Sequence, residues 1–349
     1  MAETIISSGS RRLSTPAPVR FVHNGRFGAQ AAVEAKDFEA ILAREPEVLR
    51  AFAENGDLCW TVQTFCRLRE AGYGGIELST EAVPGRINLS KAKTLSRRGW
   101  RPGIFDVSIQ ADYPRVAWAR FHLQQNRDLL GHDAHVVPLW PQARIIPRDA
   151  GRSGISRIGF FGKIDGNLAG GDETWRALLA ERGLEFYAPQ ADRWHDFSKI
   201  DVAVGIRSFD TRRHSRKPAN KLINAWMAGV PFIGGNDSAF MQIGTPGENY
   251  LQAATPGEVI EQICRLQADP HLYDQLVRAG AAEAEAFTVP RIADHWVDVL
   301  EGPISARYLE WEAHAAREKV RSRLLSLAQG GVDLAKAAGR KLLRREYEA

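Results

Sequence analysis

Lys217, Lys221 and Asn224 stand at spacings of four and three residues, so a helix over this stretch puts all three on one face. Pro218 suits the first turn of such a helix, because the amide it lacks has no partner there. Gly229 ends it, and the apolar run Val230-Pro231-Phe232-Ile233 follows as a strand. Leu222, Trp226 and Gly229 fall on a different face, fit for packing against a sheet. Two ammonium groups beside the positive end of a helix make a site for a diphosphate.

Three strand ends in the second half carry further candidates. Gly162-Lys163 follows Arg-Ile-Gly-Phe-Phe and precedes the glycine-rich Gly166–Gly171. A glycine here lets the backbone approach a phosphate, and Lys163 can meet its charge. Arg207 closes Asp201–Arg207, either facing a ligand or as a solvated strand-end arginine. The loop Gly234–Ser238 follows Val230–Ile233. Asp237 there can accept hydrogen bonds from sugar hydroxyls or cap the next helix, whose first N–H groups belong to Ser238 and Ala239.

These residues need a frame of alternating strands and helices. In the first half the strands are expected at Val19–His23, Ile76–Ser79, Arg86–Leu89, Ile104–Gln110, Arg120–Gln124 and His135–Leu139. Helices are expected near Val33–Asn55 and Cys59–Ala71, after a turn at Gly25–Gly28. The proline- and glycine-rich stretch Pro138–Gly154 reads as an extended linker. Beyond it come strands at Arg157–Phe161, Glu185–Tyr187, Asp201–Arg207, Val230–Ile233 and Asn249–Gln252. Helices fall at Asp172–Gly183 with Asp172 as N-cap, at Lys217–Gly229, near Ser238, and at Pro256–Ala268, Leu272–Phe287 and Arg291–Leu300. The fold class is α/β: two doubly wound, Rossmann-like domains facing across a cleft. The division is 1–18 as a disordered leader, 19–150 and 151–305 as the two domains, and 306–349 as a basic helical tail.

The second half resembles the donor-binding domain of a two-Rossmann-domain (GT-B) glycosyltransferase of the family 4 type. The residues that carry the likeness are the Gly162-Lys163 turn, the strand Asp201–Arg207, the block Pro218–Pro231 and the acidic loop at Asp237. It spans about residues 155–300, and reaches the first half only in outline. The resemblance implies a nucleoside diphosphate sugar as co-substrate, with no further cofactor. Lys163 and Lys217 or Lys221 would neutralise the leaving diphosphate, and Asp237 would contact the donor sugar. It also implies transfer to a saccharide or other hydroxyl acceptor with retention at the anomeric carbon, as in polysaccharide biosynthesis. The family's Glu-x7-Glu pair is here Arg216 and Asn224, which replaces a charged contact to the ribose with an amide. This departure keeps a second reading open: a catalytically degenerate protein that binds a nucleotide or glycan. Fixed lysines and helix dipoles can stabilise a departing diphosphate without a metal, and the chain has no Asp-x-Asp or HExxH pattern, so no metal site is expected.

The first half would hold the acceptor, with His23, Asp112 and Asn126 as strand-end candidates. His23 could instead satisfy a turn. No Gly-x-Ser-x-Gly or Gly-x-Gly-x-x-Gly motif is present, which disfavours a serine hydrolase and a nicotinamide-dependent oxidoreductase. A formal charge of +4 over 349 residues argues against nucleic acid as a partner. Three cysteines without Cys-x-x-Cys spacing fit a reducing, cytoplasmic setting. The tail from Arg317 carries nine Lys/Arg against four acids and is amphipathic in parts, with a break expected at Gly330-Gly331. It suits either a helix packed on the first domain or peripheral contact with anionic lipid at the inner membrane face.

Overall fold

A computed structural model describes residues 4–25, 37–43 and 46–347. Of the expectations above, residues 26–28 of the turn after Gly25 and the start of the Val33 helix lie outside the described residues. The first sheet contains β1 Thr4–Ser8, β2 Val19–Val22, β3 Gly74–Ser79, β4 Ile87–Lys91, β5 Phe105–Ile109, β6 Phe121–Gln124 and β7 Ala134–Val136. Its spatial order is β1-β3-β2-β4-β5-β6-β7, parallel except where β1 meets β3. The second sheet contains β8 Arg157–Gly159, β9 Glu185–Tyr187, β10 Val202–Gly205, β11 Phe232–Gly234 and β12 Leu251–Gln252. It is parallel throughout, in the order β12-β11-β10-β8-β9.

The helices are α1 Phe38–Leu42, α2 Pro46–Glu54, α3 Gln63–Glu70, α4 Ala92–Arg98, α5 Gly171–Ala180 and α6 Asn220–Met227. They continue with α7 Ser238–Ile243, α8 Pro256–Ala268, α9 Pro270–Ala284, α10 Val289–Val299, α11 Ser305–Ala313 and α12 Ala315–Tyr347. Strands covered on both faces are buried along their length. Every residue of β5 and of β10 is buried, including Asp106, whose carboxylate pairs with Arg98 at 2.5 Å. The architecture is the expected pair of doubly wound α/β sheets.

Four local expectations are corrected. Residues 4–8 are not a disordered leader: they form an edge strand with Ile5 and Ser7 buried and Ile5 set against Leu78 of β3. Asp172 does not cap α5; Gly170 precedes the helix in a left-handed turn, and Asp172 pairs with Arg176 at 2.6 Å. Helix α4, which the strand-rich reading omitted, buries only Ala92 and Leu95, too few apolar residues to mark a helical period. Gly330-Gly331 does not break the tail, since neither residue takes the positive φ that ends a helix and α12 runs through them.

The chain also crosses back. Helices α10 and α11, with the π-helical turn Leu300–Ile304 between them, send Ile292, Trp296, Leu300, Ile304 and Tyr308 into the core of the first sheet, among Phe21, Trp60 and Phe105. The Trp296 indole lies edge-on to Phe21, with ring centres 6.1 Å apart, and Tyr308 to Phe105 at 5.0 Å. Residues 289–305 therefore belong with the first core and not with the second, where the sequence division had put them.

Asp201 fastens the linker to the second sheet. Its fully buried carboxylate accepts from Arg148 at 3.0 Å, from Arg152 at 2.8 Å, and from the Ser156 and Arg157 amides at 2.9 Å. Burial alone would raise its pKa, but the bonds from Arg152, Ser156 and Arg157 outweigh it and hold the group at about 2. A carboxylate depressed on folding contributes stability above its unfolded pKa and loses it as pH falls through the folded one. Asp201→Asn should therefore cost about 2 kcal/mol at pH 7, with the difference closing as the pH falls from about 4 to about 2. Denaturant melts of both proteins across that range check this.

Candidate functional site

In a doubly wound sheet the ligand crevice opens where successive crossovers leave a strand in opposite directions. In the second sheet β8 has β9 on one side and β10 on the other, so the crevice lies between β8 and β10. Gly162 and Lys163 follow β8, and Arg207 follows β10. In the first sheet the same logic selects the gap between β2 and β4, and Lys91 ends β4. Both crevices open onto one cavity of about 310 Å³. Gly162, Lys163, Arg207, Lys217, Lys221 and Asn224 line it from the second half, and Lys91 and Asp112 from the first. Among the described lining residues, Lys91, Lys163, Arg207, Lys217 and Lys221 face only two carboxylates, Glu54 and Asp112.

Helix α6 places part of this set, by a different route from the one expected. It begins at Asn220, so Pro218 and Lys217 precede it and Lys217 owes its position to the loop. Leu222 and Trp226 bury the far side, with the Trp226 indole N–H donating to the Asn249 carbonyl at 2.8 Å. The near side also grips the linker. Asn220 Nδ2 donates to the Trp140 carbonyl at 2.6 Å, and Asn224 Oδ1 accepts from the Gln142 amide at 3.0 Å. The oxygen of Asn224 is thus already engaged, which leaves its Nδ2 for a ligand.

Lys221 is half-buried, with Nζ 5.0 Å from the centre of the Phe160 ring. Among the described residues it forms no ion pair. Burial pushes its ammonium well below the ordinary lysine range, and the nearby Arg207 charge adds to this. A Cβ on Gly162 would stand 3.0 Å from Nζ, so glycine at this turn leaves the ammonium its room. Lys217 reaches across the cleft to Asp112 at 3.6 Å, and Lys163 is exposed at the rim.

Four candidates lie elsewhere. Asp237 is fully buried behind Arg207 and ion-paired to its Nη1, so it neither faces the cavity nor caps α7. Burial works against both charges, and each is the other's main support. The Ser238 amide donates to the Arg213 carbonyl at 2.7 Å, and its hydroxyl accepts from Asn126 Nδ2 at 2.9 Å. Asn126 also donates to the Lys217 carbonyl at 3.3 Å and accepts from Gln242 at 2.9 Å. It is a bridge between the halves, reinforced by Arg213 and Asp128 at 3.0 Å, and not part of an acceptor wall. His23 is buried after β2, where Nδ1 accepts from the Gly25 amide at 3.2 Å and burial lowers its pKa. It satisfies a turn.

The sequence reading missed Lys91 and Asn167, which both line the cavity. Lys91 was legible in principle: it ends a parallel strand beside a switch point, but the strand had been closed two residues early, at Leu89.

No family model and no curated protein matches the chain. Among solved structures, Anabaena Alr3699/HepE in complex with UDP and glucose aligns at 10% identity and TM-score 0.41, over 53% of this chain and 63% of that one. S. aureus TarM aligns at 6% identity and TM-score 0.46, over 62% and 55% respectively. AviGT4, a glycosyltransferase involved in avilamycin A biosynthesis, aligns at 14% identity and TM-score 0.47, over 73% and 92%. These alignments cover less than two thirds of the HepE chain bound to UDP and glucose and of the TarM chain.

Proposed function

We propose that this protein is a glycosyltransferase of the two-Rossmann-domain class, moving a sugar from a nucleoside diphosphate sugar to a hydroxyl of a saccharide or other acceptor. The observation that carries this is the convergence of Lys163, Arg207, Lys217 and Lys221 on the crevice between β8 and β10, opposite the first sheet. Glycosyl transfer develops negative charge on the departing diphosphate while the sugar gains oxocarbenium character. Fixed cations in a partly desolvated crevice favour that charge most where it is greatest. Burial and the Arg207 charge lower the pKa of Lys221, and a diphosphate beside it would favour its ammonium form. These cations can serve without a metal ion, and retention at the anomeric carbon is the expectation from the family resemblance.

A second reading has specific support. Asn224 stands where the family carries a ribose-binding glutamate and its oxygen is engaged by Gln142, while Asp237 is held behind Arg207. Both features suit a protein that binds a nucleotide or glycan without turning it over. Saturating UDP or GDP should raise the thermal midpoint by several degrees, and a screen of sugar nucleotides should then release free nucleoside diphosphate. Stabilisation without release from any donor would select the binding protein. The absence of both effects would end the transferase reading and nucleotide binding alike.

A further inference from the structure

Helix α12 is attached to the body by its polar side. Glu318 and Ser322 are buried and bind the Arg120 guanidinium, which also takes the Glu318 carbonyl. One helical repeat further on, Gln329 Oε1 accepts from the Ala117 amide at 2.7 Å. Arg307 of α11 stands 3.6 Å from the same Glu318 carboxylate. Residues 318, 322 and 329 recur at i, i+4 and i+11, which is one face of an α-helix.

The opposite face is apolar and open. Val320, Leu324 and Leu327, at i, i+4 and i+7, are 62%, 62% and 66% exposed. An amphipathic helix of a globular protein ordinarily turns such a row inward; here the polar contacts fix it outward. Exposed cations border it on both sides, Arg317 and Arg321 along one edge and Lys319 and Arg323 along the other. A pocket of about 410 Å³, walled by Trp100, Arg120, Trp311 and Lys319, lies where the helix meets the body. Among the described residues no helix is long and apolar enough to cross a membrane.

We propose that the outward face of α12 is a docking surface for an anionic lipid bilayer, along which the helix lies flat. Charge decides for lipid over a second copy of the chain. Two such faces brought together would oppose cations to cations, whereas anionic headgroups neutralise both edges while the leucines enter the headgroup–acyl boundary.

Co-sedimentation of the full chain tests this, with vesicles of phosphatidylcholine containing one third phosphatidylglycerol and with phosphatidylcholine alone. The wild-type chain should partition onto the anionic vesicles at least about tenfold better than onto the neutral ones, and about 0.5 M salt should remove most of the difference. Leu324→Glu/Leu327→Glu should lower that partitioning by about tenfold or more without moving the thermal midpoint, because both side chains already face solvent. The single variant Val320→Gln provides a milder check in the same direction. Equal partitioning of wild type and both variants would overturn the proposal. So would a wild-type dimer by sedimentation velocity that the double variant dissolves, since a second copy would then cover the row.

Discussion

Replacing Lys221 with alanine is expected to slow sugar transfer by about 10²–10³-fold, the loss typical of removing one fixed donor from a charge-stabilising site. Nucleoside diphosphate stabilisation should fall with it. Exposed Cys264, remote from the cavity, supplies the control: Cys264→Ala should leave both unchanged. The lysine also gives a signature that a merely structural role would not. Burial and the Arg207 charge lower its pKa, and a bound diphosphate would raise it. Between those two values binding must take up a proton, so affinity declines with rising pH, by up to about tenfold per unit. Calorimetric titration of UDP or GDP in two buffers of different ionisation enthalpy measures that proton directly. Lys221→Ala should abolish the buffer dependence. Proton uptake that persists in the variant would assign it to another group and remove Lys221 from the site.

Breaking the Arg207–Asp237 pair should be the most damaging change to stability near the cavity. Both partners are buried, and truncating one leaves the other charge without compensation, at a cost of about 3–5 kcal/mol. Arg207→Leu and Asp237→Asn should each lower the free energy of unfolding by that amount, read from denaturant melts. The double variant should be more stable than the sum of the two losses, because neither charge is then stranded. Activity separates the roles. If Asp237 serves by holding Arg207 toward the cavity, Asp237→Asn loses stability and nucleotide affinity together. An Asn variant with native stability but no transfer would mean that Asp237 touches the donor sugar, contrary to its position here.

The central strands were legible because they are rich in β-forming residues: Val202–Gly205 is an unbroken apolar run, and Phe105–Ile109 keeps apolar residues at every second position. Edge strand Thr4–Ser8 was not, since it buries one isoleucine and exposes the next, Ile6, at 61%. Residues 289–305 show a helical period, but periodicity names a buried face and not the core that receives it. The site divides in the same way. Gly162, Lys163, Arg207 and Lys221 could be placed by rules on strand ends and helix starts. Asp237, Ser238 and Asn126 could not, because their roles depend on partners 30 and 112 positions away that no local pattern reveals. Asn224 falls between these cases: its place on the cavity wall follows from its spacing to Lys221, while its bond to Gln142 depends on where the linker passes.

The return of Trp296 and Tyr308 to the first core has a topological corollary. The second lobe is an internal excursion of the chain, entered through the linker and left again before Val289, so residues before the linker and residues after Val289 build one lobe together. Cleaving at the linker would not release two self-sufficient halves. The fragment ending there would lose the indole that meets Phe21 and Trp60 and the phenol that meets Phe105, while the intervening stretch would keep its own apolar interior whole.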